Sequence, residues 1–164
     1  MNEIIEIVKL LSKIREDTII SGSVAGMLYL EKKIRKCNDI DIHIKFPFLK
    51  QELDYIDSIY EIKKYDDNNI TFKNGIEVDI NYDDIPYIQK ENYKLLKLEK
   101  ILANKINRCF ENSKYKDVYD LYFLLDLKYD LKILNSYLNY YQNNDIILLD
   151  KRSKDMYYEI DIDK

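Results

Sequence analysis

The seven residues from Asp39 to Lys45 alternate without exception, with Ile40, Ile42 and Ile44 apolar and Asp39, Asp41, His43 and Lys45 polar. Successive side chains on a strand point to opposite faces, so a period of two predicts a half-buried strand that turns two carboxylates outward. That segment constrains the fold more than any other, because it requires a sheet with one face in the core and an acidic patch on the other. At about 6.7 Å, neighbours at i and i+2 on a strand can ligate one Mg²⁺ or a pair of ions roughly 4 Å apart.

A second acid-bearing strand follows. Asn74-Gly75 is a two-residue hairpin signal between Ile70–Lys73 and Ile76–Ile80. In the second run Ile76, Val78 and Ile80 point one way, and Glu77, Asp79 and Asn81 the other. If this strand lies beside the first, Asp79 faces the Asp39 and Asp41 pair. Two carboxylates about 5 Å apart repel by roughly 3 kcal/mol at an effective dielectric of 20. Three on one face therefore call for a divalent cation or a protonated carboxyl, and the cation is the catalytically useful answer.

Upstream, Asp17-Thr-Ile-Ile-Ser21 reads as a buried strand running into Gly22-Ser23, with a helix expected from Val24 to Lys33. Glycine lets backbone approach a ligand, serine caps a helix or donates its hydroxyl, and free N–H groups at a helix start attract phosphate oxygens. An ordinary strand-to-helix turn has the same composition, so the pair takes its meaning from the acids downstream.

The second half of the chain is helical in pattern. Leu95, Leu98, Leu102, Ile106 and Cys109 recur at three-to-four spacing and predict a helix over 93–111, bordered by a basic edge of Lys94, Lys97, Lys105 and Arg108. That edge suits either phosphate clamping or a solvated flank. Lys116-Asp117-Val-Tyr-Asp120 begins a helix over 114–127, with Ser113 as its N-cap. Asp117 and Asp120 are i,i+3 neighbours able to pair with Lys105 or Arg108.

The element order predicts an α+β chain, a small mixed β-sheet flanked by helices and followed by a C-terminal helical half. Helices are expected to about Lys13, over 49–58 and over 131–142, and strands near 60–65, 70–73 and 76–82. A single domain over 1–164 results: a sheet half at 1–88 carrying the acids, a helical half at 91–143 and a tail at 144–164.

Composition removes several function classes. His43 is the only histidine, which excludes histidine-pair catalysis and multi-histidine metal sites. Cys37 and Cys109 supply neither a metal cluster nor a disulfide framework, so a reduced, cytoplasmic setting is expected. Net charge is −4, so no global basic field collects nucleic acid, although Lys94 to Lys116 holds seven basic residues against two acidic ones. No segment is apolar for long enough to span a membrane, and the amphipathic first helix lacks the pattern of a secretory leader.

Two stretches together resemble the DNA polymerase β-like nucleotidyltransferase superfamily, and within it the AbiEii/AbiGii toxin family. The first is Ser21-Gly-Ser-Val-Ala25 through Arg35-Lys-Cys-Asn-Asp39-Ile-Asp41, similar to that family's Gly-Gly/Ser and Arg-x-Ser/Thr-x-Asp-hydrophobic-Asp pattern, with Cys37 at the usual hydroxyl position. The second is Leu98-Glu-Lys-Ile-Leu-Ala-Asn-Lys105-Ile followed by Lys116-Asp117-Val-Tyr-Asp120-Leu121, similar to its lysine helix and Lys/Arg-Asp-x-x-Asp-Leu motif. The order holds from about Asp17 to Leu125. One departure is the arginine expected a few residues beyond the lysine, since Arg108 comes early and Lys114 late.

The resemblance implies transfer of a nucleoside monophosphate from an NTP, with two Mg²⁺ ions, to an acceptor that is RNA, tRNA or a protein. It implies that Asp39, Asp41 and Asp79 are metal-binding and catalytic. Gly22, Ser23, Arg35, Lys105, Lys116, Asp117 and Asp120 would bind the nucleotide. It further implies a toxin-like component of a toxin–antitoxin or phage-defence system, with a cognate antitoxin as a partner. Size and motif order also resemble the compact lincosamide and aminoglycoside nucleotidyltransferases. A degenerate relative that binds nucleotide or a partner protein without turnover is the alternative of another class.

Overall fold

The alternating runs around Ile40–Ile42 and Val78–Ile80 are strands, and among the described residues seven strands join in one mixed sheet. The computed structural model describes residues 2–112 and 115–138. Within them the order is α1 (Asn2–Ile14), β1 (Ile19–Ser21), α2 (Gly22–Leu30), β2 (Asp39–His43), α3 (Lys50–Ile59), β3 (Ile62–Asp66), β4 (Asn69–Phe72) and β5 (Glu77–Asn81). Then come β6 (Tyr87–Lys90), β7 (Tyr93–Leu96), α4 (Leu98–Asn112), α5 (Tyr115–Leu124) and α6 (Leu131–Tyr137). The expected Ser113 cap, Lys114, the end of the helix placed over 131–142 and the tail at 144–164 lie outside the described residues.

The chain divides into two compact units, Met1–Ala25 with Cys37–Leu96, and Gly26–Lys36 with Lys97–Lys164. The first holds the whole sheet, in the order β3-β4-β5-β2-β1-β7-β6. β2 pairs in parallel with β5 and antiparallel with β1. The apolar rows coincide, because Ile20 lies opposite Ile42, Ile42 opposite Ile80, and Ile40 opposite Val78. Ile20, Ile40, Ile42, Val78 and Leu95 are all fully buried, each contributing about 1.5–3 kcal/mol of apolar burial. The α1 stripe of Ile4, Ile7, Val8 and Leu11 and the α3 residue Ile56 complete this unit's core.

Polar anchors fix the strand ends. Arg15 is nearly buried and donates to Asp17, Glu52 and the Phe46 carbonyl, while Asp17 Oδ2 accepts the Lys45 N–H at 2.8 Å. Glu52 closes the start of α3 by accepting the Leu49 N–H at 2.8 Å.

Two expectations are corrected. The helix placed over 93–111 begins at Leu98, because Tyr93–Leu96 is a strand that pairs with Tyr87–Lys90 across a two-residue turn at Glu91-Asn92. Glu91 takes the left-handed φ of 53° that this turn requires. The sheet therefore extends to Leu96, past the boundary expected at residue 88. The helix expected to reach Lys33 ends at Leu30, where Glu31 turns left-handed with φ 57° and the Lys32 N–H bonds back to the Met27 carbonyl.

In the second unit Leu98, Leu102, Ile106 and Cys109 form the buried stripe of α4, with Val118, Leu121 and Leu124 of α5 also buried. Asp130 caps α6 by accepting the N–H groups of Lys132 and Ile133.

Candidate functional site

The polar face of the central strands carries one transverse row. Ser21 on β1 is the register partner of Asp41 on β2, Asp41 of Asp79 on β5, and Asp79 of Asn69 on β4. Adjacent strands lie about 4.8 Å apart, so Asp41 and Asp79 are direct neighbours on the same face. Asp39 is one pleat back on β2, exposed, and opposite Glu77. The acids share one face as their alternation requires, with Asp41 and Asp79 half-buried.

Side chains beside the row hold it in place. Asn69 Nδ2 donates to Asp79 Oδ1 at 2.9 Å, and Thr71 Oγ1 donates to Asn69 Oδ1 at 2.9 Å, so a two-step chain fixes one Asp79 oxygen. Gly22, the first residue of α2, has φ +67°, and a Cβ built on it would lie 2.3 Å from Asp41 Oδ2. Backbone therefore runs against the Asp41 carboxylate, and a side chain at this left-handed position would push that carboxylate aside. Ser23 follows in the first turn of α2.

Next along the face is His43. Its Nε2 lies 3.1 Å from Ser21 Oγ and its Nδ1 2.8 Å from Asp83 Oδ1. An ionised carboxylate only accepts, so Nδ1 carries the proton and, in the neutral ring, Nε2 accepts from the Ser21 hydroxyl. The roles of Asn69, Thr71 and Asp83 were not legible beforehand, because each depends on register or on a loop that no local pattern marks.

Among the described residues, no three His, Cys, Asp or Glu side chains are gathered into a ready metal cluster. Asp39, Asp41 and Asp79 share a face without closing into a cage, since Asp39 stands a pleat away. The donor chemistry nonetheless suits Mg²⁺, because Asp41 and Asp79 are hard oxygen donors in direct register and their repulsion favours a cation between them.

The expected residues of the helical unit meet one another. Lys105 is 1% exposed, donates to Asp120 Oδ2 at 2.7 Å and lies 3.5 Å from Asp117 Oδ1. Arg35 grips Asp120 with two bonds of 2.7 and 2.9 Å, and Arg108 grips Asp117 with two of 3.0 and 2.9 Å. Burial pushes the Asp120 carboxyl up, but the Arg35 hydrogen bonds and the charges of Lys105 and Arg35 outweigh it, leaving the group below the ordinary 3.8. Lys116 is exposed on α5.

Solved structures share this architecture. A candidate nucleotidyltransferase from H. pylori superposes with a TM-score of 0.56 at 20% identity, over 93% of this chain and 91% of that one. JHP933 from Helicobacter pylori gives 0.56 at 20% identity, over 93% and 88%. The antibiotic-resistance factor ANT(2'')-Ia overlaps at 0.47 and 16% identity, over 96% and 94%, too loosely to bear on fold or function. No known family's sequence profile matches the chain, and no curated protein matches its sequence. The class of fold is thus nucleotidyltransferase-like, a mixed seven-stranded sheet with helices. The likeness to the two H. pylori structures extends over nearly the whole chain and is one of fold.

Proposed function

We propose that the protein is a Mg²⁺-dependent nucleotidyltransferase that moves a nucleoside monophosphate from an NTP to an acceptor and releases pyrophosphate. The observation that carries this reading is the in-register pair Asp41 and Asp79 beside a glycine turn that touches the Asp41 carboxylate. Asp39, Asp41 and Asp79 hold the metal, and the Gly22-Ser23 turn at the start of α2 receives the triphosphate through its N–H groups. When bound, Mg²⁺ supplies charge neutralisation on the phosphate oxygens. The residues themselves position the nucleotide: Asn69 orients Asp79, and the bare Cα of Gly22 leaves room for the Asp41 carboxylate. In the helical unit, Arg35, Lys105, Asp117 and Asp120 brace the helices, while Lys116 is the basic group of the motif open to an anion.

The role in the cell that we attach is that of a toxin-like enzyme with RNA or tRNA as acceptor and a cognate antitoxin as partner. Its support is the motif order from Ser21 to Leu121. The test is to incubate the purified protein with each labelled NTP, Mg²⁺ and total cellular RNA. Label on RNA supports the toxin reading. Transfer only to a lincosamide or aminoglycoside replaces it with drug modification, and nucleotide binding without transfer to any acceptor removes the enzyme.

A further inference from the structure

A pocket of about 140 Å³ opens on the same sheet unit, one pleat beyond the acid row. Its lining includes His43, Lys45, Asp83, Asp84, Tyr87 and Lys94. Strand register fixes where it stands. Ser21 is opposite Asp41 and Ile19 opposite His43, so along the strand direction the chain leaves β1 for Gly22 on one side of the row and the pocket lies on the other. Lys94 is the partner of Ile19 on the far side and closes that end. Displacement at phosphorus needs the attacking and leaving oxygens roughly in line, on opposite sides of the phosphoryl group. With the triphosphate at the Gly22 end, the attacking oxygen enters from the His43 end.

The lining chemistry also excludes a second polyphosphate site. The carboxylates of Asp17, Asp83 and Asp84 outnumber the ammonium groups of Lys45 and Lys94, so the pocket has no net positive field to hold one. Carboxylates and lysines together bond well to hydroxyl groups, and Ile19 and the Tyr87 ring offer apolar surface to the hydrocarbon side of a ring. Lys94 Nζ lies 5.3 Å from the Tyr87 ring centroid, which ties the two walls. His43, held between Ser21 and Asp83, forms the wall nearest Asp41.

We infer that this pocket is the acceptor subsite and that it takes a hydroxyl-bearing sugar ring, with His43 as a positioning residue. This assignment rests on the transfer reading proposed above. The sugar oxygen bonds to the α-phosphorus as the bond from that phosphorus to the pyrophosphate oxygen breaks. The pyrophosphate leaves with the electron pair, and the hydroxyl proton passes to a carboxylate of the row. The ring can come from the 3′ end of an RNA or from a free amino sugar.

As the single histidine of the chain, His43 reports on the pocket by itself. Its ring signals are followed by NMR while the full chain is titrated with a short oligoribonucleotide ending in a free 3′ ribose, with tobramycin, and with MgATP. One of the two sugar ligands is expected to give a saturable shift, and its identity names the source. In Tyr87→Ala, and again in Asp84→Asn, both at exposed positions, affinity for that ligand falls by about tenfold while MgATP affinity stays within about twofold. The assignment is overturned if neither sugar ligand moves the His43 signals, or if the two variants weaken MgATP instead. Failure of the wild type to bind MgATP would remove the transfer reading and leave the sugar titration to stand or fall separately.

Discussion

Gly22 lies so close to Asp41 that a methyl group on its Cα would sit 2.3 Å from Asp41 Oδ2. The obstruction is a side-chain tip and not backbone, so the carboxylate can swing away. Gly22→Ala is expected to fold, with a loss of about 1–2 kcal/mol from the left-handed φ and a Tm lowered by roughly 2–8 °C. Its nucleotidyl transfer should fall by about a hundredfold, because Asp41 has moved. Thermal melting and initial rates check both parts, and wild-type rates would separate the glycine from function.

The opposed carboxylates of Asp41 and Asp79 set the response to metal. Removing one charge relieves up to about 3 kcal/mol of repulsion at an effective dielectric of 20. Without metal, Asp79→Asn should melt at or above the wild-type temperature. Mg²⁺ should raise the Tm of the wild type and leave that of the variant unchanged. Asp39→Ala should abolish transfer with the fold intact. An equal Mg²⁺ response in Asp79→Asn and the wild type would rule Asp79 out as a ligand.

Asn69 is expected to act through Asp79, since its amide fixes one Asp79 oxygen. Asn69→Ala should lower kcat by about ten- to a hundredfold, the range for partners that orient metal-binding groups. Mg²⁺ required for half-maximal rate should rise in parallel. A variant slowed with an unchanged metal requirement would make Asn69 a strand residue and nothing more.

Asp120 predicts an acid limb in stability. Its carboxyl is depressed below the ordinary 3.8 by Arg35 and Lys105 despite burial. The unfolded state then binds the proton more readily, so the stabilisation is fully present above that ordinary value and is lost as pH falls through the lower folded value. Asp120→Asn should lower stability at neutral pH by about 3–5 kcal/mol. It should also flatten the decline below pH about 4. Urea titrations at pH 7, 4 and 3 measure both, and an undiminished acid limb in the variant would assign it to other carboxylates.

How much of this was legible in the sequence follows from how each contact is encoded. Ile40, Ile42 and Ile44 state their face locally, so the acidic face could be read directly. Asn74-Gly75 marked the place of the hairpin but not its length, since the loop is Lys73-Asn74-Gly75 between Phe72 and Ile76, with only Gly75 of the three at positive φ. β7 could not be read, because Leu95 falls in step with Leu98 and Leu102 and the helical spacing absorbed it. The Asn69–Asp79 and His43–Asp83 bonds depend on register and loop path. The pairing of Asp117 and Asp120 with Lys105 and Arg108 was legible as an option from their i,i+3 spacing. The burial of Lys105 was not, because single-helix periodicity places it on an edge and does not contain the neighbouring helix that covers it.

The parallel union of β2 with β5 has a consequence for timing. Asp41 and Asp79 stand almost forty residues apart in the chain, and a helix and two strands intervene before they can meet. Pairings of such long range close late, after the local hairpins. A polypeptide emerging from the ribosome passes through every length up to Val78 with Ser21, Asp41 and Asn69 of the row but without Asp79. The pair is completed at one moment of synthesis, and every shorter product lacks it.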